Sequence, residues 1–219
     1  MHIVIFAGGT LHPGHAVHNA ITTADLIIAA DKGAATAFKY GCPPTIIVGD
    51  LDSLVGPALQ QAHEHKSQII QAPVEKNETD TELAVQIALQ HGATTITLLG
   101  GLGGARFDHT MANVQLLVGF ADAPIRIIDG PAVCWLLRGP GQTNIHGHAD
   151  DLVSLLPLTA EATNVKTQGL YYPLHGETLR FGKPRGVSNH LTQPSASVSL
   201  TTGLLLLIHT NIQELHEDD

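Results

Sequence analysis

Over its first 130 residues the chain alternates short apolar runs with segments of helical pattern, and then the alternation stops. The runs are His2–Phe6, Leu26–Ala30, Thr45–Val48, Gln68–Gln71, Thr95–Leu99 and Ile125–Ile128. Between them, Pro13–Thr23, Gly33–Tyr40, Pro57–Lys66, Thr79–His91 and Asp108–Phe120 read as helices. Parallel strands need long crossovers, usually helices, so this rhythm predicts an α/β domain with a mostly parallel, Rossmann-like sheet. Strands buried on both faces read as unbroken apolar runs, as these do.

From about Gly130 onward, Gly and Pro punctuate the chain densely. The short runs Val133–Leu137, Leu152–Leu156, Thr178–Phe181, Ser195–Thr201 and Leu204–His209 then predict strands. Such spacing favours an all-β sandwich, so the expected domains are 1–130 and 131–219. Neither a low-complexity linker nor an internal repeat separates them.

Two acidic motifs sit within the α/β pattern. Gly49-Asp50-Leu51-Asp52-Ser53 closes an apolar run, and Glu75-Lys76-Asn77-Glu78-Thr79-Asp80 leads into a helix. Asp50 and Asp52, two apart, point to one side if strand geometry persists. In open α/β sheets ligands gather at the carboxyl ends of strands, where this motif lies. An anionic ligand approaches bare carboxylates only with a cation between, so Asp50, Asp52 and Asp80 are candidate Mg²⁺ ligands, with phosphate and water oxygens completing the shell. A simple turn is the competing reading, since Gly, Asp and Ser are all turn formers. Asp31, at the end of Leu26–Ala30, weighs against it because a second strand ends in the same way. Lys76 reads either as a charge beside metal-bound phosphate or as a solvated loop lysine. Thr79 and Glu82 suggest a capping box, and Gly92 a helix stop.

The third element is Gly100-Gly101-Leu102-Gly103-Gly104-Ala105-Arg106-Phe107-Asp108-His109, between a strand and a helix. Glycines such as Gly104 let backbone N–H groups approach phosphate, and a helix start favours anions. It matches neither a P-loop nor a complete G-x-G-x-x-G. Arg106 is a candidate phosphate contact. Asp108 or His109 could orient a substrate hydroxyl, while His109 also reads as a helix-start residue bonded to backbone.

Composition narrows the partners. The formal net charge is -9 with no basic run, which argues against a nucleic-acid surface. Cys42 and Cys134 are the only cysteines, so reduced thiols are expected rather than a disulfide framework. The N-terminus lacks a basic signal-peptide region, and the apolar run Gly203–Ile208 is too short to span a bilayer, so a soluble cytoplasmic protein is expected. His12, His15 and His18 recur at helical spacing, and His146 and His148 sit in a Gly-rich turn; both groups read as surface histidines rather than metal sites.

Taken in order, these motifs resemble the thiamine pyrophosphokinase family. The resemblance runs through Ala30-Asp31-Lys32-Gly33-Ala34, Gly49–Ser53, Glu75–Glu82 and Gly101–Asn113. It continues through Val153–Leu158, Gly169–Leu174 and Gly186-Val187-Ser188-Asn189, nearly the full chain. It implies a homodimer of two-domain subunits, with an ATP-binding catalytic domain and a thiamine-binding β-sandwich. It implies Mg²⁺-dependent transfer of the pyrophosphoryl group of ATP to thiamine, releasing AMP. Asp31, Asp50, Asp52, Asp80 and Asp108 would form the metal–ATP site. Lys76, Asn77 and Arg106 would lie near phosphate, and Ser188 and Asn189 would meet thiamine. Ala105 replaces a usual glycine, and His190 stands where the family more often has an acid. The sole tryptophan, Trp135, lies elsewhere, leaving the aromatic contact to thiamine unassigned. The alternatives are a pyrophosphokinase for another hydroxymethyl heterocycle, such as a pterin, and a non-catalytic nucleotide or thiamine sensor.

Overall fold

The computed structural model describes residues 1–50 and 56–215. It divides into two compact units, Met1–Gly130 and Pro131–Asp219.

The first unit contains strands β1 (His2–Phe6), β2 (Leu26–Ala30), β3 (Ile46–Gly49), β4 (Gln68–Gln71), β5 (Thr95–Leu99) and β6 (Ile125–Asp129). The helices are α1 (His15–Thr22), α2 (Gly33–Lys39), α3 (Pro57–Glu64), α4 (Asp80–Gln90) and α5 (Phe107–Gly119). The strands lie in the order β4-β3-β2-β1-β5-β6, every neighbouring pair parallel. Ile3, Val4, Ile5, Ile28, Ile47, Ile96 and Leu98 are fully or almost fully buried, which is why these strands carry no polar alternation. The connection order reverses beside β1, because the chain builds outward through β4 and then returns to place β5 on the other flank of β1. The loops after β1 and β5 are thereby brought side by side, at a crevice at the carboxyl ends of the strands.

Local signals match their elements. The Thr79 side chain accepts the Glu82 backbone N–H at 3.1 Å, capping α4. Gly92 ends that helix at φ 77°. Pro57 opens α3, where its missing N–H costs no helical bond.

The second unit is all-β apart from the short α6 (Ile212–Leu215). Its strands are β7 (Ala132–Arg138), β8 (Gly141–His146), β9 (Leu152–Pro157), β10 (Glu161–Gln168), β11 (His175–Arg180), β12 (Asn189–His190), β13 (Ser195–Leu200) and β14 (Leu204–Thr210). They form two antiparallel layers, ordered β12-β9-β14-β7 and β11-β10-β13-β8. Both layers contribute to one core, with Val153, Leu155, Leu205 and Leu207 from one and Ile145, Val165, Leu179 and Val198 from the other. Trp135 packs against this core.

Sequence pattern overlooks β8, β10 and β12. Strand β10 reads Glu-Ala-Thr-Asn-Val-Lys-Thr-Gln, with only Ala162, Val165 and Thr167 buried. Half-solvated strands carry few apolar residues, and the register shifts around Val165 blur their period further. The expected strand at Thr178–Phe181 instead begins at His175 and ends before Phe181, which is exposed. Both cysteines are buried. Among the described residues no helix is long and apolar enough to cross a membrane.

Candidate functional site

The crevice beside β1 opens into a cavity of about 540 Å³. Its walls come from the ends of β1, β2 and β3, the start of α4, and the β5–α5 loop. Two backbone loops meet there. Gly9 N–H donates to Gly100 O at 3.1 Å, and Thr10 N–H to Gly103 O at 3.2 Å. A Cβ on Gly9 would collide with the carbonyl oxygens of both Gly100 and Gly103, so this approach requires glycine. Helix α5 supports the loop from behind. Asn113 Nδ2 donates to Gly101 O at 2.9 Å, and Thr110 Oγ1 to Leu102 O at 3.0 Å.

Of the residues expected at the site, Asp31, Asp50, Lys76, Asp80, Gly104, Arg106 and His109 all line this one cavity. Asp31 holds a left-handed backbone at φ 45°, its N–H bonded to Val48 O at 2.9 Å. Asx residues tolerate that region better than most, and here it turns the chain from β2 into α2 at the cavity edge. Asp52 lies outside the described residues. Asn77 and Asp108 do not line the cavity. Ser188 and Asn189 belong to the second unit.

Asp80 begins α4, where a carboxylate is favoured by the helix dipole. Its Oδ1 is buried and lies 3.0 Å from Lys76 Nζ, yet no hydrogen bond of good geometry reaches it. Lys76 Nζ instead donates to Pro73 O at 3.1 Å. Ion-pair distance and hydrogen-bond direction thus disagree, and direction decides whether a lone pair is satisfied. An unsatisfied carboxylate oxygen facing a cavity shared with Asp31 and Asp50 suits a hard, oxygen-seeking cation. No three His, Cys, Asp or Glu side chains among the described residues cluster tightly enough to cage a metal by themselves.

Arg106 turns onto Asp108 in a fork, with Nε to Oδ1 at 2.9 Å and Nη2 to Oδ2 at 2.6 Å. Hydrogen bonding from Arg106 holds the Asp108 carboxyl at about 2, overcoming the opposing effect of desolvation with help from the charge of Arg106 and the N–H of His109. Asp108 is therefore a weak base near neutral pH. His109 donates its backbone N–H to Arg106 O at 3.0 Å, as a helix-start residue does, while also lining the cavity.

Sequence reasoning overlooked Ala7-Gly8-Gly9-Thr10, Lys32, Glu78, Thr110 and Asn113, all in the cavity wall. The Gly-Gly pair after the first strand was a visible signal. So was the i, i+3 spacing of Thr110 and Asn113, which puts both on one helix face.

A family model described as "Thiamin pyrophosphokinase, catalytic domain" matches residues 17–128. A second, "Thiamin pyrophosphokinase, vitamin B1 binding domain", matches residues 142–205. The chain is 28% identical over 188 residues to a thiamine pyrophosphokinase of Bacillus subtilis, covering 84% of this chain and 87% of that protein. It is 28% identical over 176 residues to thiamin pyrophosphokinase 1 of Caenorhabditis elegans, covering 75% and 70%. The crystal structure of the Bacillus subtilis thiamine pyrophosphokinase superposes with a TM-score of 0.85 over 97% of this chain and all of that one. That of the Geobacillus thermodenitrificans thiamin pyrophosphokinase is 30% identical, with a TM-score of 0.81 over 96% and 98%.

Proposed function

As a member of the thiamine pyrophosphokinase family, this chain is a thiamine diphosphokinase, and we propose that the cavity beside β1 is where it holds ATP with a divalent cation. The reaction is ATP-dependent pyrophosphoryl transfer to thiamine, giving thiamine diphosphate. The observation that carries the siting is the convergence of Asp31, Asp50 and Asp80 with Lys76 and two Gly-rich loops at one set of strand ends.

Asp50 and Asp80, with Asp52, would hold Mg²⁺, and Asp31 would bound the same pocket. Bound there, the metal neutralises phosphate charge and screens it from the carboxylates. The Gly-rich loops after β1 and β5 would let backbone come close to the phosphate chain. Lys76, 3.0 Å from Asp80, is placed to exchange that partner for a phosphate oxygen. Arg106, largely exposed, is held by Asp108 in a planar fork that suits bidentate phosphate contact. Asn77 and His109 would assist ATP binding.

The thiamine hydroxyl oxygen forms a bond to the β-phosphorus of ATP. The bond from that phosphorus to the α,β-bridging oxygen breaks, and AMP leaves with the bridging oxygen. The hydroxyl proton passes to a site carboxylate or to water. Asp108, held at about 2, serves better as the anchor of Arg106 than as that acceptor. Fixed alignment of the two reactants accounts for much of such an acceleration, up to roughly 7–11 kcal/mol. The second unit would supply thiamine contacts around Ser188 and Asn189 within a homodimer.

Purified protein given ATP, Mg²⁺ and thiamine should produce AMP and thiamine diphosphate in equal amounts. ADP as the nucleotide product, or turnover of a hydroxymethyl pterin in preference to thiamine, would overturn the assignment. Chelation should abolish turnover and weaken ATP binding measured by calorimetry, with Mg²⁺ restoring both. Light scattering should give a mass of two chains; a monomer would remove the dimer.

A further inference from the structure

The cavity wall that follows β1 is built from Ala7-Gly8-Gly9-Thr10, a stretch with little side chain to pack. None of the residues from Gly8 to His12 is buried. Two adjacent glycines give such a segment wide backbone freedom, and little burial offsets it. Its shape is therefore set by hydrogen bonds. On one side these run to the end of β5 and its loop. Ala7 N–H donates to Leu99 O at 2.8 Å, and the bonds from Gly9 and Thr10 to Gly100 and Gly103 follow.

The next two residues are tied to elements outside the cavity. The Tyr40 hydroxyl, just past α2, donates to Leu11 O at 3.3 Å. The Tyr40 ring lies against Phe6 of β1, with centroids 6.4 Å apart. Burial, and then the charge of Asp129, push the Tyr40 hydroxyl up from its ordinary value, which keeps it protonated and able to donate. Asp129 is the last residue of β6. Its Oδ1 accepts the His12 N–H at 2.8 Å, across 117 residues of chain, and His12 Nδ1 lies 3.2 Å from both carboxylate oxygens. Gly130 N–H closes the contact on His12 O at 3.2 Å. The Asp129 side chain is 12% exposed and the His12 ring 58%, so the fixed end of this contact is the carboxylate. Neither Tyr40 nor Asp129 lines the cavity.

We propose that Asp129 and Tyr40 are positioning residues for ATP: through His12 and Leu11 they hold the Gly8–Thr10 backbone in the shape that receives the phosphate chain. This rests on the siting of ATP in the cavity beside β1. The two anchors stand on opposite flanks of β1, Tyr40 on the side of β2 and α2, Asp129 on the side of β5 and β6. A loop tied only to the β5 loop could swing with it, whereas one held from both flanks keeps its place. Backbone that meets a triphosphate serves best when ordered before the ligand arrives, because ordering it afterwards subtracts from binding. The anchored atoms in the loop are the backbone oxygen of Leu11 and the backbone N–H of His12, so the segment is held whatever its side chains do.

The test compares KM values for ATP and thiamine across a short series of variants. Lys76→Ala, inside the cavity, comes first: a raised KM for ATP supports the siting, and an unmoved one removes both the siting and the inference built on it. Asp129→Ala should then raise the KM for ATP about tenfold and leave that for thiamine within about twofold, the size expected for losing a hydrogen bond to a charged group. Asp129→Asn, which keeps an oxygen for the His12 N–H, should recover most of the loss. His12→Ala should leave the KM for ATP within about twofold, because the backbone N–H remains. A large rise there would make the imidazole the working contact and overturn the backbone route. If Lys76→Ala raises the KM for ATP while Asp129→Ala only lowers thermal stability, the pair is a structural staple and the inference alone fails. Equal rises in both KM values would likewise overturn it, as general distortion. Should Asp129→Ala fail to fold, Tyr40→Phe decides: loss of its one O–H should raise the KM for ATP about two- to fivefold, and an unmoved value sinks the proposal.

Discussion

The two units solve the problem of presenting function in opposite ways. The first buries its central strands and works through loops: Ile, Val and Leu fill β1, β2, β3 and β5, and charged side chains line the cavity where the strands stop. The second packs two layers around one core and presents aromatic rings on a turn bonded to a two-residue strand. Charge on short, fixed side chains suits phosphate chemistry, where position and field dominate. A broad aromatic surface suits recognition of a flat cation, where area and polarisability dominate.

The sharpest way to break this contrast is at Asp80. Asp80→Asn should lower kcat by roughly 10²–10³-fold, a loss typical of removing one aimed electrostatic group, while leaving thiamine binding intact. Near-normal kcat would move the chemistry away from α4. Next comes packing in the second unit. Leu207 is fully buried, so Leu207→Ala should cost about 2–5 kcal/mol of stability in urea unfolding followed by Trp135 fluorescence. A loss well below that range would mean the core of this unit collapses around the gap.

Asp151 sharpens the comparison, because it is a buried carboxylate used for structure. Burial alone would raise its pKa, yet bonds from His148 N–H at 2.8 Å, His209 Nε2 at 2.9 Å and Ile212 N–H at 3.1 Å outweigh that and lower it. A lowered folded-state value means the carboxylate stabilises fully above the ordinary carboxylate range, and that the benefit fades as pH falls through the folded value. Asp151→Asn should therefore cost roughly 1–3 kcal/mol at neutral pH, with the gap to the unaltered protein closing in acid. A gap that persists unchanged into strong acid would refute the charge-based account. The smallest effect is expected at the α4 cap, where Thr79→Ala should cost about 1 kcal/mol in thermal unfolding. A larger fall in activity than in stability would mean that the cap also shapes the phosphate site.

Legibility in the sequence follows the same division. Strands β1, β2 and β5 begin and end at the residues their apolar runs mark, because burial on both faces leaves no ambiguity of period. Strands β8 and β10 escape notice because their inward positions are few and separated by Thr, Asn and Gln. At the site, Asp31, Asp50, Lys76 and Asp80 were visible as charges at element ends. Gly9 was visible only as half of a Gly-Gly pair, since its role lies in contact with Gly100 and Gly103, more than 90 residues away. Asn189 was visible as a motif residue, but its three hydrogen bonds to Tyr172 and His190 were not.

By itself, the sequence determined the alternation of buried strands and helices, the change of texture near residue 130, and the carboxylates and lysine that end up lining one cavity. These are local properties: burial period, turn chemistry and side-chain charge act over a few residues. Only tertiary structure decided that the β1 and β5 loops close on one another, that Asp80 keeps an unsatisfied oxygen, and that Arg106 is held by Asp108. It likewise decided that Tyr171 stacks on His190. Most of these contacts join segments distant in the chain, and all are set by the direction of bonds and rings in space, which residue order does not encode until strands pair and cores pack.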